Sequence, residues 1–251
     1  MKRVFIWSIA TLVAVILLVI VGSYLYAESV TSAPEPAALD ALASDALVHS
    51  DTNGWITFTP AHSDPSTGLV IYPGGFVDPR AYARVARRIA AEGYLVVIPT
   101  MPLNLAVLRP DRADAVIAAH PEIEHWAIAG HSLGGAMAAR FAAQNTDLID
   151  ALILWAAYPP DSVDLSQTDL HVTSIYGTQD GLVSQEEIDN SRVRLPSTTR
   201  YVPIEGGNHA QFGNYGAQAG DLPALINADE QQVQISAATV ETLALAAAQG
   251  N

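Results

Sequence analysis

From residue 55 onward the chain alternates between short apolar runs and stretches where apolar positions recur every three or four residues. Runs such as "WITFTP" (55–60), "TGLVIYPGG" (67–75), "YLVVIPT" (94–100) and "HWAIAG" (125–130) predict strands, as do 151–157, 171–177 and 198–206. Between them, 78–94, 112–120, 133–144, 184–192 and 230–248 predict helices. In the first of these, Asp78 is placed to cap, Pro79 opens the turn, and Tyr82, Val85 and Ile89 share one face. Short continuous apolar strands separated by helices predict a mainly parallel sheet covered on both faces, with ligands at the carboxyl ends of the strands.

The N-terminus follows a different pattern. Residues 4–22, "VFIWSIATLVAVILLVIVG", carry no charge, and nineteen residues at about 1.5 Å each reach roughly 28 Å, the hydrocarbon thickness of a bilayer. Lys2 and Arg3 precede the run and Glu28 and Glu35 follow it, which predicts a single-pass anchor with the following domain on the extracytoplasmic side. Cleavage after Ala27, giving a secreted protein, is the alternative. The reading divides the chain into an anchor (1–27), a linker rich in Pro, Ala and acids (28–53) and one catalytic domain (54–251).

Composition narrows the chemistry. Of 251 residues none is cysteine, and Lys2 is the only lysine, which excludes thiol nucleophiles, Cys-ligated metals, Ser-Lys dyads, pyridoxal Schiff bases and Walker-A loops. A formal charge of −14 argues against nucleic acid as a partner. No metal motif is present, and no cofactor is expected.

What remains is "IAGHSLGGAMAAR" (128–140), in which Gly130, Ser132 and Gly134 form a G-x-S-x-G pattern between a strand and a helix. That setting belongs to a nucleophile elbow, where small neighbours allow a turn sharp enough to lift a serine hydroxyl above the sheet edge. A serine nucleophile needs a base. Of seven histidines, His49 and His62 precede the central strands, and His120, His125 and His171 fall on the opposite edge. His131 is turned away by the elbow and suits a structural hydrogen bond. His209, in "EGGNHAQFG" after the last strand, is left as the base. Asp180, in "YGTQDGLV", completes the order Ser, Asp, His; Asp161 and Asp164 are alternatives for the acid. Oxyanion donors are expected at Leu133 N–H and in "YPGGFVD", at Phe76 or else Gly75.

The stretches "YPGGFVDPRAYARVA", "PTMPLNLAVL", "AGHSLGGAMAA", "YGTQDGLV" and "EGGNHAQFG" resemble the α/β-hydrolases, in particular the compact, lidless bacterial enzymes similar to dienelactone hydrolase. The resemblance implies an α/β-hydrolase fold and a Ser132–Asp180–His209 triad. Dienelactone hydrolase itself uses a cysteine, so its substrate specificity does not carry over. The expected activity is hydrolysis of a small-molecule carboxylic ester. Acyl transfer or perhydrolysis would use the same residues, and a non-catalytic binding domain is a further alternative. Met101, Leu103, Trp155, Tyr158, Leu182 and Phe212 lie on carboxyl-edge segments and are candidates for substrate contact or for core packing. Only residues 158–170 separate the strand at 151–157 from the next, too few for a cap. An open cleft, suited to short or medium acyl groups, follows.

Overall fold

The computed structural model describes residues 2–248. One long helix, α1 (Lys2–Val30), leads into a short α2 (Pro36–Asp40) and then a sheet of eight strands. These are β1 (Val48–Asp51), β2 (Ile56–Pro60), β3 (Thr67–Tyr72), β4 (Leu95–Ile98), β5 (His125–His131), β6 (Ala151–Trp155), β7 (His171–Gly177) and β8 (Arg200–Ile204). Their spatial order is β1-β2-β4-β3-β5-β6-β7-β8. β1 and β2 run antiparallel, and everything from β4 to β8 is parallel. The helices that cover it are α3 (Ala83–Ala91), α4 (Arg112–Ala119), α5 (Leu133–Gln144), α6 (Gln185–Ser191) and α7 (Ala228–Ala247).

Strand alternation divides the core in two. Leu69 and Ile71 of β3 point to the face that holds Val85 and Ile89 of α3 and Ile235 and Leu243 of α7. Val70 and Tyr72 point to the face of Val116 on α4 and Met137 and Phe141 on α5. β3 is buried at all six positions, which explains its unbroken apolar run. Each fully buried aliphatic side chain there contributes about 1.5–3 kcal/mol.

Two features differ from the sequence reading or sharpen it. The segment expected to be a linker, 28–53, is built into the domain. Ser32 N–H donates to the Phe76 carbonyl (2.8 Å), Asp78 N–H donates to the Ser32 carbonyl (3.1 Å), and Glu35 N–H donates to Asn214 O (2.8 Å). α2 buries Ala38, and β1 pairs with β2 from Val48↔Pro60 to Asp51↔Thr57. "VHSD" buries only Val48, so it carries no side-chain pattern that would announce a strand. The connection 158–170, by contrast, forms no lid: Val163, Leu165 and Leu170 fold down into the core beside α5.

α5 crosses the sheet at backbone contact. A Cβ on Gly134 would lie 2.3 Å from the carbonyl oxygens of Tyr72 and Pro73, and one on Gly130 would lie 2.4 Å from Gly134 backbone atoms. Backbone cannot yield as a side-chain tip can, so Gly134→Ala should destabilise by about 3 kcal/mol or abolish folding. Gly22→Ala, with nothing within 4 Å, should be neutral. Chemical-denaturation midpoints of the two variants in detergent check the contrast.

Candidate active site

Ser132 sits between β5 and α5 with φ 52° and ψ −123°. A serine at this positive φ is strained by about 1–3 kcal/mol. It is held there by its N–H, which donates to Trp155 O (3.0 Å), and by the glycine contacts on either side. Its neighbours His131, Gly134 and Gly135 are buried, whereas Ser132 and Leu133 keep partial access to solvent. Leu133 opens α5, so its N–H belongs to the first turn, whose amides have no partner within the helix. Among the described residues the other non-glycine residues with positive φ are Phe76 (55°), Leu103 (54°), Asn104 (54°) and Ala156 (45°). They follow β3, β4 and β6 at the same carboxyl edge, so the backbone strain of this domain gathers around one point.

His209 and Asp180 meet there from separate turns. Asp180 Oδ2 lies 2.8 Å from His209 Nδ1, with the two side chains 1% and 0% exposed respectively. Asp180 Oδ1 also accepts from Leu182 N–H (2.8 Å) and Val183 N–H (2.7 Å). Asp180 thus makes three hydrogen bonds, one of them to His209 Nδ1. His209 Nε2 is buried and, among the described residues, makes no hydrogen bond. The His209 ring is 4.5 Å from that of His131, the residue before Ser132. Three residues from distant parts of the chain, Ser132, Asp180 and His209, are thus gathered at one edge of the sheet.

His131 has a different role. Gly74 N–H donates to the Tyr82 hydroxyl (2.9 Å), whose own proton then goes to His131 Nδ1 at 2.8 Å. Phe212 stacks on the opposite side of the imidazole, 5.5 Å between ring centres and 11° between planes. Burial, with His209 alongside, holds the His131 pKa well below its ordinary value, so this ring stays neutral. It is the structural hydrogen bond expected of it, and it ties the loop after β3 to the elbow.

That loop corrects one expectation. Phe76 N–H donates to Asn104 O (2.9 Å), so Phe76 is engaged and is no oxyanion donor. Gly74 N–H is taken by Tyr82, but Gly75 N–H makes no hydrogen bond among the described residues. Gly75 lies against Leu133, whose Cδ2 would be 3.1 Å from a Cβ placed there.

The apolar candidates separate. Trp155 is fully buried, and its Nε1 donates to Thr239 Oγ1 on α7 (3.2 Å), so it is core. Strand alternation turned it away from the edge. Phe212 is also fully buried, behind His131, and touches no open cleft. Tyr158 donates to Glu187 Oε1 (2.9 Å) and secures α6. Leu182 is partly exposed beside Gly220, Leu103 is half-buried, and Met101 is nearly covered. Neither alternative acid reaches His209: Asp161 is 97% exposed and pairs with Arg194, and Asp164 accepts from Ser166 N–H within its own turn.

Sequence reasoning missed Asp221. Its Oδ1 accepts from Gly181 N–H (3.0 Å) and His209 N–H (3.2 Å), and its Oδ2 from Ala210 N–H (2.8 Å). One carboxylate thus clamps the turn of Asp180 to the turn of His209. Gln231 adds a second tie, accepting from Asn208 N–H (3.0 Å) and donating to Asn208 O (2.7 Å). Nothing in "GDLP" or in α7 marks these residues, because their partners are loop amides.

The neutral His131 has a consequence for stability. Unfolding frees it to take up a proton below its ordinary pKa of 6.5, which the folded state refuses. The unfolded chain then binds more protons, so stability is full above about pH 6.5 and falls below it. The slope is about 1.4 kcal/mol per pH unit for one such group. Between about pH 6.5 and pH 5 in detergent, His131→Gln should remove that share of the slope. An unchanged pH dependence in denaturant titrations would show that His131 is protonated in the folded state.

The comparisons with known proteins accord with this geometry. The model of the alpha/beta hydrolase family matches residues 68–233, about two-thirds of the chain. Among solved structures, the chain is similar to a predicted CIB-like hydrolase from Thermoplasma acidophilum at 17% identity and a TM-score of 0.57, covering 78% of this chain and 97% of that one. It is similar also to Est1E from Butyrivibrio proteoclasticus at 15% identity and a TM-score of 0.56, covering 78% and 99%. At such identities the likeness is one of fold. A search of curated proteins finds no match. Strand order, elbow and family model together make this chain an enzyme of the hydrolase class and a member of the alpha/beta hydrolase family.

Proposed function

We propose that the enzyme is a membrane-anchored serine hydrolase of carboxylic esters. The observation that carries this reading is the buried Asp180–His209 pair, whose imidazole lies 4.5 Å from the ring of His131, the residue before Ser132 at the strained elbow. Ser132 Oγ attacks the ester carbonyl as His209 Nε2 takes its proton, and Asp180 stabilises the imidazolium that forms. The negative charge on the carbonyl oxygen is met by the N–H groups of Leu133 and Gly75, a preorganised donor being worth about 10²–10³ in turnover. Collapse of the tetrahedral intermediate expels the alcohol, which leaves with the proton held by His209. Water then attacks the Ser132 acyl ester with His209 again as base, releasing the carboxylic acid and restoring the serine. The half-buried Leu103 and the exposed Leu182 are the apolar groups best placed to meet the substrate, and no cofactor enters any step.

The anchor reading rests on α1, of which Leu12–Val30 is long and apolar enough to cross a membrane and is 6% buried. Lys2 and Arg3 at its start favour an extracytoplasmic domain.

Triad members act as a unit, so the losses should not add. Ser132→Ala and His209→Ala should each lower kcat on p-nitrophenyl acetate by at least about 10³-fold, the double variant by little more, and Asp180→Asn by less than either. Fluorophosphonate should label Ser132 in the unaltered enzyme. Turnover of His209→Ala within tenfold of the unaltered enzyme would move the base elsewhere.

A further inference from the structure

We infer that the active-site mouth is seated at the membrane surface and that the substrate is a lipid-soluble ester whose apolar part stays in the bilayer. This rests on the esterase and anchor readings above. The most apolar stretch of α1 ends at Gly22, the uncharged but more polar Ser23–Ala27 follow before the first acid at Glu28, and the helix continues without a break to Val30. Tyr24 and Tyr26 follow the run, both more than half exposed, in the position of an interfacial aromatic belt. Ala27, five residues beyond Gly22, is already buried against the domain. Five residues of helix rise about 7.5 Å, comparable to a headgroup layer about 5–7 Å deep.

The parts that Ala27 docks beside are those of the active site. Tyr26 meets the Phe76 ring edge-on, 6.2 Å between centres. Asn104 Nδ2 donates to Thr31 Oγ1 (3.1 Å), and Ser32 is bonded on both sides to the Phe76–Asp78 backbone. Phe76 adjoins Gly75, Gly75 touches Leu133, and Leu133 follows Ser132. No slack separates membrane from catalytic edge: chain and hydrogen bonds fix the mouth at headgroup level. Between helix and domain runs a groove of about 440 Å³, with Tyr24, Ala27 and Thr31 on one wall and Met101, Leu103 and Asn104 on the other. The loop beyond it exposes Val107 and Leu108, 46% and 48%, as apolar surface.

This placement resolves the lidless architecture. An open cleft cannot bury a long acyl chain, but it need not if the chain never leaves the leaflet. The domain is acidic, so helix docking and apolar contact hold it at the surface, not attraction to anionic lipid.

The test lifts the domain without disturbing the dock. Seven helical residues of Ala, Glu and Lys inserted between Gly22 and Ser23 make two turns and raise it by about 10 Å, nearly in phase. Full-length and lifted chains are compared in phosphatidylcholine vesicles. On 4-methylumbelliferyl palmitate dissolved in the bilayer, the lifted chain should be at least tenfold slower. On p-nitrophenyl acetate in water the two should agree within twofold, which also shows that the lifted chain folds. Equal rates on both substrates would overturn the inference. If neither chain hydrolyses p-nitrophenyl acetate or takes up fluorophosphonate, the esterase reading fails, and the seat is judged by position. The chain has no cysteine, so Leu103→Cys accepts a single environment-sensitive dye. Its emission should be quenched by shallow brominated lipid in the normal chain and at least fivefold less in the lifted one. Equal quenching, or none in either, would overturn the membrane seat.

Discussion

The backbone of α5 touches the backbone of the sheet, and the site depends on that contact. With hydrogen alone at Gly130 and Gly134, the helix start approaches the ends of β3 and β5 closely enough to hold Ser132 at a positive φ. Pulling α5 back by the width of one methyl group would relax the turn and lower the hydroxyl. It would also move the Leu133 N–H away from Gly75. The strain at Ser132 is offset by the surrounding core, where Leu69, Ile71, Val70 and Tyr72 are fully excluded from water on both faces. Stability is thus spent at the carboxyl edge and gained in the layers beneath it.

Around that rigid crossing the remaining parts are placed by hydrogen bonds to loop backbone. Asp180 bonds to two amides and an imidazole, Asp221 joins the turns that carry Asp180 and His209, and Tyr82 and His131 bind the loop after β3 to the elbow. Burial strengthens the bond between Tyr82 and His131, because no water competes for it. The same burial keeps His131 uncharged.

The N-terminal helix belongs to this network. Through Thr31 and Ser32 it reaches Asn104, Phe76 and Asp78, so the segment that joins it to the domain also braces the loop beside the serine.

The chain by itself determined the order of strands and helices from β2 onward, the two-sided burial of the parallel strands, the elbow at Ser132 and the apolar span. Each of these is written in side-chain chemistry: period, volume, charge, or the absence of a Cβ. The pairing of Asp180 with His209 could be anticipated because both follow strands at the same edge of the sheet. What only the tertiary structure decided is where loop amides and edge side chains turn. Phe76 N–H is spent on Asn104, Trp155 faces α7, Phe212 backs His131, Asp221 ties two turns together, and residues 31–51 join the domain through main-chain bonds. Every residue except proline carries the same N–H and C=O, so the sequence holds no mark of which amide meets which carbonyl. That choice is made when distant segments come within 3 Å of one another.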